Sequence, residues 1–173
     1  SPMPEILETY IPTRMALGDD RRAGNYFRRL PDGRLLWGMG VSALNQQSVE
    51  SIKQMGWKNI KAHFPNMIVE MKQNNIKFDY AWSGLMAYAS HFMPYVGKLN
   101  ERESILSGFG GHGMNTAPIA GKRMALFLNG DKNMLDPFLE IPRRNVFGLI
   151  GRLGAEFEYR RLRVIDYIAE ALG

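Results

Sequence analysis

Residues 107–122 read Ser-Gly-Phe-Gly-Gly-His-Gly-Met-Asn-Thr-Ala-Pro-Ile-Ala-Gly-Lys, and this stretch says more about the fold than any other. A short apolar run precedes glycines at positions 108, 110, 111 and 113, and a helical pattern follows them. We expect Asn115 or Thr116 to cap that helix, with Pro118 in its first turn. Glycine lets the backbone approach a ligand closely, and free N–H groups at a helix N-terminus attract negative charge. The stretch therefore predicts a strand–loop–helix unit that binds an anionic or electron-accepting cofactor.

Two segments, 108–113 and 38–43, match the dinucleotide-binding pattern G-x-G-x-x-G, the second in its Ala-ending form. A true dinucleotide loop needs a preceding strand, a helix directly after it, and an acidic residue about 20 positions on, at the end of a second parallel strand. After the first match, the proline-limited segment 138–142 is a poor second strand. After the second match, the helix is expected to start only near Ser48. We therefore expect neither segment to grip a dinucleotide; for 38–43, turn glycines without a ligand are a credible alternative.

Composition limits the possible classes of protein. The chain has 173 residues, of which 45% are hydrophobic and 11% aromatic, so it can form a packed core and is not disordered. It has no cysteine, which excludes disulfides and thiolate chemistry and fits a reducing compartment. No apolar run approaches the roughly 18 residues of a membrane span. We expect a cytoplasmic protein without a membrane span.

The net charge of +5 raises the question of nucleic-acid binding. Acidic residues are interspersed among the basic ones; near the C-terminus, for example, Glu156 and Glu158 lie between Arg152 and Arg160. Such mixing is typical of a solvated surface, whereas a nucleic-acid site needs a continuous basic stripe or a known module. We expect no nucleic-acid partner.

The three histidines and the paired acids Asp19-Asp20 are the other candidates for chemistry. His63 falls at a predicted helix end, where a structural role is expected. His91 either lines a pocket or is a plain loop residue, and His112 lies inside the glycine loop. The two adjacent aspartates are expected to face solvent. No spacing of metal-binding residues is present, so we expect no metal site.

Periodicity predicts strands and helices in irregular order. A turn at Pro31-Asp32-Gly33 indicates a β-hairpin, and Ser48 and Pro65 are placed to cap and to end a helix. The predicted elements are strands at 25–30 and 34–38, a helix at 47–64, strands at 76–82 and 103–109, a helix ending at Gly130, and a C-terminal helix striped by Leu162, Ile165, Ala169 and Leu172. This order is typical of an α+β fold.

Four motifs, at 26–42, 82–88, 93–97 and 108–121, resemble in order and spacing the C-terminal part of the D-amino-acid-oxidase-like FAD-dependent oxidoreductases. The resemblance is to the branch of amine oxidases that includes gamma-glutamylputrescine oxidase. It runs from about residue 10 to the end, including a tail at 146–151. His91 stands where many relatives carry Asp, which leaves the substrate preference open.

The resemblance implies a division of the chain and a reaction. Residues 1–100 would be a portion of a substrate-binding domain, with a mixed, largely antiparallel sheet and covering helices. Residues 101–173 would be the C-terminal strand–loop–helix of an FAD-binding domain, followed by terminal helices. The implied activity is oxidation of a C–N bond of a small amine or amino acid to an imine, with FAD as cofactor.

The resemblance also implies site residues, though it names no catalytic residue. The segment that would face the pyrimidine edge of the flavin is Gly110, Gly111, His112, Gly113, Met114, Asn115 and Thr116. The residues that would form the substrate pocket are Trp37, Met39, Tyr88 and His91.

The N-terminal dinucleotide loop of the family has no counterpart in this chain. We therefore expect a C-terminal portion that is inactive alone and needs a missing N-terminal half or a partner subunit. The alternative is a non-catalytic globular fragment or interaction module that no longer binds FAD on its own.

Overall fold

A computed structural model describes residues 1–21, 24–44 and 46–172. The elements, in chain order, are α1 (Pro4–Tyr10), β1 (Leu17–Gly18), β2 (Tyr26–Arg29), β3 (Leu35–Gly38), α2 (Val49–His63), α3 (Pro65–Gln73), β4 (Tyr95–Lys98), β5 (Ser104–Ser107), α4 (Gly113–Leu128), a 3-10 helix (Lys132–Leu135), α5 (Asp136–Leu139) and α6 (Gly148–Leu172). Helices accompany two small antiparallel sheets, so the predicted α+β class is confirmed.

The chain divides into two compact units. The first unit comprises residues 1–83 and 148–173, and the second unit comprises residues 84–147. Within the first, β1, β2 and β3 form one sheet in that order; within the second, β4 pairs with β5. The division at residue 100 implied by the family resemblance stays a prediction.

The hairpin and helix predictions for the first unit are confirmed. Strands β2 and β3 pair in the register Tyr26 to Gly38, and Gly33 in their turn has a φ of +78°, which suits glycine. The Ser48 hydroxyl caps α2 by accepting the N–H of Ser51 at 3.2 Å. Pro65 does more than end α2, because it also opens α3.

The predicted strand at 76–82 is wrong. This segment forms no strand within the described chain. Its alternation is nevertheless real: Ile76 and Phe78 pack against the core, and the Phe78 ring meets Trp57 edge-to-face at 5.1 Å. Half-burial of an extended segment gives the same period of two as a strand, because that period follows from backbone extension and not from ladder hydrogen bonds.

The core of the first unit lies between the sheet and helices α1, α2 and α3. Leu7, Ile60 and Met67 are fully buried there. Burial of each such side chain contributes about 1.5–3 kcal/mol relative to exposure. The rings of Phe27 and Trp37, paired across β2 and β3, stack 4.5 Å apart, which fixes the face of the hairpin that meets the helices.

The second unit packs α4 against the β4–β5 hairpin and the segment that follows α4. Its buried centre consists of Val96, Ala120, Met124 and Leu135. Ala120 and Met124 of α4 are thus in the core, whereas Leu128 of the same helix is exposed. The predicted strand at 103–109, the loop after it and the predicted helix ending at Gly130 are confirmed as β5, residues 108–112 and α4.

Helix α6 holds the loop after β3 through its polar side chains. Glu156, only 7% exposed, accepts the Ser42 hydroxyl at 2.9 Å and the Ala43 N–H at 3.0 Å. Arg152 donates to the Ala43 and Leu44 carbonyls at 2.9 Å, and Arg163 donates to the Val41 carbonyl. Burial alone would raise the pKa of Glu156. The hydrogen bonds that its carboxylate accepts from Ser42, Ala43 and Arg160 outweigh burial and lower this pKa.

A different face of α6 is apolar and exposed. The exposed fractions of its large side chains run from 49% to 76%; they are Leu149, Ile150, Leu153, Phe157, Val164, Tyr167 and Ile168. At 100° per residue these positions fall within one stripe about 100° wide. The stripe differs from the predicted one, in which Leu162 and Ile165 are half-buried and the Leu172 side chain lies outside the described residues. No helix in the described part of the chain has the length and apolar character that a membrane span requires.

Candidate functional site

The glycine loop, residues 108–112, joins the end of β5 to the start of α4 in five residues. Gly108, Gly110 and Gly111 have φ angles of +78°, +56° and +85°, where other residues are strained. The loop also runs beside residues 86–88: the Gly110 N–H donates to the Ala87 carbonyl at 3.0 Å. A Cβ at Gly110 would lie 3.2 Å from the Tyr88 ring, so backbone conformation and space both require glycine here.

The start of α4 differs from the prediction. The helix begins at Gly113, so His112 is at the N-cap position, without a side-chain cap bond, and Asn115 and Thr116 lie in the first turn. Both of their N–H groups donate to the His112 carbonyl at 3.2 Å, as does the Thr116 hydroxyl at 2.9 Å. Pro118 is an interior residue. The helix starts earlier than expected because the Phe109–His112 turn, closed at 2.9 Å, leads directly into helical backbone.

Three backbone N–H groups at this helix end are without a hydrogen-bond partner in the described part of the chain. Those of Gly111, Gly113 and Met114 make no hydrogen bond to any described residue. The first turn of α4 contains no acidic residue, whereas that of α2 contains Glu50. The partial positive charge of the helix N-terminus therefore has no acidic partner in that turn. His112 is exposed and Met114 is 93% exposed, so this end faces open space.

Two of the four predicted substrate-pocket residues belong to the second unit. The Tyr88 ring lies against Gly110, and Tyr88 forms an isolated antiparallel bridge with Phe109, so this side chain borders the loop. His91 accepts the Met93 N–H through Nδ1 at 3.2 Å, and its Nε2 lies 3.2 Å from the Pro142 carbonyl. Because both ring nitrogens contact backbone groups, His91 ties the segment after Tyr88 to residue 142.

The other two, Trp37 and Met39, belong to the first unit. The Trp37 indole N–H donates to the Asn59 side chain at 2.7 Å, and its ring stacks on Phe27. The Met39 methyl group approaches Gly56 of α2. Both side chains thus face α2 from the end of the hairpin.

A polar cluster around Asp19 was missed by the sequence analysis. Its carboxylate accepts the Asn25 side-chain N–H at 2.5 Å and the Asn25 backbone N–H at 2.8 Å, and it lies 3.1 Å from Nε2 of His63. We expected Asp19 to face solvent beside Asp20, and for Asp19 this expectation is wrong. The structural role expected for His63 agrees with its contact to Asp19. Separations of 6 and 44 residues follow no local period, so no spacing in the sequence indicates the cluster.

The two dinucleotide-type matches lack the required context within the described chain. The match at 108–113 does have a strand before it and a helix directly after it, but β5 pairs only antiparallel with β4, and no strand follows α4. The match at 38–43 follows β3, but α2 begins only at Val49. Across the described residues, no group of three His, Cys, Asp or Glu could hold a metal ion.

Comparison with known proteins identifies the family. The profile of the DAO family, FAD dependent oxidoreductase, matches residues 1–126. "Gamma-glutamylputrescine oxidoreductase" of Escherichia coli strain K12 is 26% identical over 138 residues, which are 80% of this chain and 31% of that protein. "Probable oxidoreductase OrdL" of Haemophilus influenzae is 26% identical over 143 residues, covering 83% and 31%.

A "Probable oxidoreductase OrdL" of Rhizobium meliloti is 28% identical over 135 residues, covering 77% of this chain and 28% of the relative. The chain thus spans under a third of the length of these relatives. No solved structure matches it. The family match covers the hairpin, α2, the glycine loop and most of α4, and it confirms the resemblance carried by the four motifs. This chain belongs to the DAO family of FAD-dependent oxidoreductases.

Proposed function

We propose that this chain supplies the flavin-facing loop of a FAD-dependent oxidoreductase that oxidises a C–N bond of a small amine or amino acid to an imine. The observation that carries the proposal is the open N-terminus of α4, where the N–H groups of Gly111, Gly113 and Met114 have no partner within the described chain. The Escherichia coli relative is named a gamma-glutamylputrescine oxidoreductase, and this name supports an amine as substrate.

The residues at this helix end fit the electron-rich edge of a flavin ring. Bound FAD supplies a two-electron acceptor that takes a hydride equivalent from the carbon next to the substrate nitrogen. The chain contributes unpaired donors and an N-terminal helix end without an acidic residue, which favour negative charge beside them. The exposed His112 adds a side chain at the same end. The N–H groups of Asn115 and Thr116 already donate to the His112 carbonyl, so these two residues shape the helix end and offer no free backbone donor.

Binding of the whole cofactor would need a second protein segment. Within the described chain, neither dinucleotide-type match has a parallel strand and an immediate helix together, so the phosphate end of FAD has no candidate loop there. The relatives are about three times as long as the part matched here. We propose that an N-terminal half or a partner subunit supplies the loop that binds the phosphate end of FAD. We also propose that the chain alone binds FAD weakly and is inactive, and that the complete protein is cytoplasmic.

A second candidate function is an interaction module without a cofactor. The apolar stripe of α6 favours it, because seven large side chains that are about half or more exposed exceed what a solvated helix usually shows. The two candidates differ in one observable property: only the first predicts that flavin contacts the α4 N-terminus when the loop that binds the phosphate end of FAD is supplied.

The test uses Met114, whose side chain is exposed and whose N–H is a proposed donor. In a flavoprotein that joins this chain to an N-terminal FAD-binding part, we expect Met114→Glu to lower flavin content and slow flavin reduction by amine. A carboxylate beside the ring edge opposes the charge that accumulates on reduction, although it stabilises α4 itself. Stopped-flow absorbance and flavin content after desalting measure the effect.

Met114→Gln is the matched control, since it has the same shape without the charge, and it should retain flavin. His112→Ala should retain flavin and slow reduction by up to about 10²-fold, since one donor is lost. If Met114→Glu and Met114→Gln both behave as the parent protein, the loop does not face the flavin.

A further inference from the structure

The first unit contains a cavity of about 220 Å³ that is separate from the glycine loop. Its inner surface includes Ile60 and Met71, which are almost completely buried. All three tryptophans of the chain, Trp37, Trp57 and Trp82, line it. A cleft of this size that opens to solvent on one side and is lined by aromatic rings is a candidate binding site.

The outer end of the cavity carries exposed aromatic rings and an arginine whose charge is paired with carboxylates. Tyr80 and Trp82 are 69% and 66% exposed there, which is unusual for large aromatic side chains. Arg34 lines the same end, with its Cζ 5.3 Å from the centre of the Tyr80 ring. Asp32 accepts Arg34 Nε and Nη2 at 2.8 and 2.5 Å, and Asp79 lies 4.0 Å from Nη1. The guanidinium is therefore already paired and offers little attraction to an anion.

The volume and the charge pattern limit the occupant. An apolar cavity of roughly 150 Å³ is enough to bind benzene and remain dry. The present cavity is larger, and an unpaired charge moved into an apolar lining loses its hydration without compensation. We infer that the cavity binds a small neutral molecule with an alicyclic or aromatic body, whose polar group lies at the Arg34 end. This site does not rest on the proposed role of the glycine loop, because no residue of that loop lines the cavity; Trp37, one of the residues predicted to form the substrate pocket, lines it.

The tryptophans provide the measurement, since every indole in the protein lines the cavity. The full chain is titrated with cyclohexanol while its tryptophan emission is recorded. We expect a saturable change in emission. Cyclohexylamine and cyclohexanecarboxylate, which are of similar size but charged at neutral pH, should bind at least tenfold more weakly. A linear, unsaturable response to cyclohexanol, or equally tight binding of either charged probe, would overturn the inference.

A variant whose larger side chain fills the cavity tests whether the molecule binds there. Ile76 is a half-buried residue of the lining, so Ile76→Phe should raise the dissociation constant for cyclohexanol at least fivefold. Val69→Phe adds a ring on the exposed side of α3 and should leave it unchanged. Unchanged binding in Ile76→Phe would contradict the location. If that variant does not fold, judged by circular dichroism, the comparison of the three probes on the parent chain still decides the ligand class.

Discussion

Asp19 illustrates how much a single side chain depends on distant partners. Burial alone would raise the pKa of this carboxyl group, but hydrogen bonds from Asn25, together with His63 and Arg21, outweigh burial and hold its pKa below the usual range. His63 in turn ends α2, where its Nδ1 lies 2.9 Å from the Asn59 carbonyl. The ionised carboxylate therefore connects the β1–β2 turn to the C-terminal end of α2.

Replacement of Asp19 should make the free energy of unfolding less dependent on pH in the acidic range. Because its folded-state pKa is lowered, ionised Asp19 stabilises the fold above the unfolded-state pKa of about 4, and this contribution is lost as the pH falls through the lower folded value. We expect Asp19→Asn to reduce the free energy of unfolding by about 1–3 kcal/mol at pH 7. The difference from the parent chain should shrink below about pH 4. Urea unfolding at several pH values measures it.

Asp20→Asn is the control for this prediction, since Asp20 is the exposed neighbour in the same turn. Its effect should stay within about 0.5 kcal/mol at every pH. Equal losses of stability in the two variants would show that only the net charge of the turn matters.

At the scale of elements, the features that depend on local sequence were predicted correctly more often than the features that depend on tertiary contacts. The Pro31–Gly33 turn and the Ser48 cap are recognisable because their chemistry acts over a few residues, and both are present in the structure. The strand predicted at 76–82 failed because alternation reports which side chains are buried and not whether a partner strand exists. The α4 start was misplaced because a tight glycine turn replaced the expected side-chain cap.

The contact between α6 and the loop after β3 is the element-scale prediction. Glu156 accepts from Ser42, Ala43 and Arg160, and it is nearly buried. Glu156→Gln places an N–H₂ group among these donors, so we expect the free energy of unfolding to fall by about 1–3 kcal/mol. Chemical denaturation at neutral pH measures the change.

Glu158→Gln is the matched control on the same helix. Glu158 is about half exposed and pairs only three positions away with Arg161. Its removal should cost at most about 0.5 kcal/mol. If Glu156→Gln is no more destabilising than Glu158→Gln, α6 is held to its unit by other contacts.

At the scale of the whole molecule, the sequence motifs identified the family, but they could not give the long-range contacts. Ser42 and Glu156 are 114 residues apart, and their pairing depends on packing that no local pattern encodes. The candidate site was predicted as one segment, and the structure confirms its strand–loop–helix form while reducing its free backbone donors to Gly111, Gly113 and Met114. Trp37 and Met39 belong to the other unit, so their predicted role at the flavin stays a prediction.

The central claim is that the α4 N-terminus contacts a flavin ring, and amide chemical shifts of the ¹⁵N-labelled chain test it most directly. Titration with FMN, whose ring is that of FAD, should give weak binding in which the amides of Gly111, Gly113 and Met114 shift most. Inorganic phosphate at the same concentrations should not reproduce these shifts, because the ring edge and not the phosphate is the proposed ligand. Shifts confined to other residues, or the same shifts with phosphate alone, would contradict the claim.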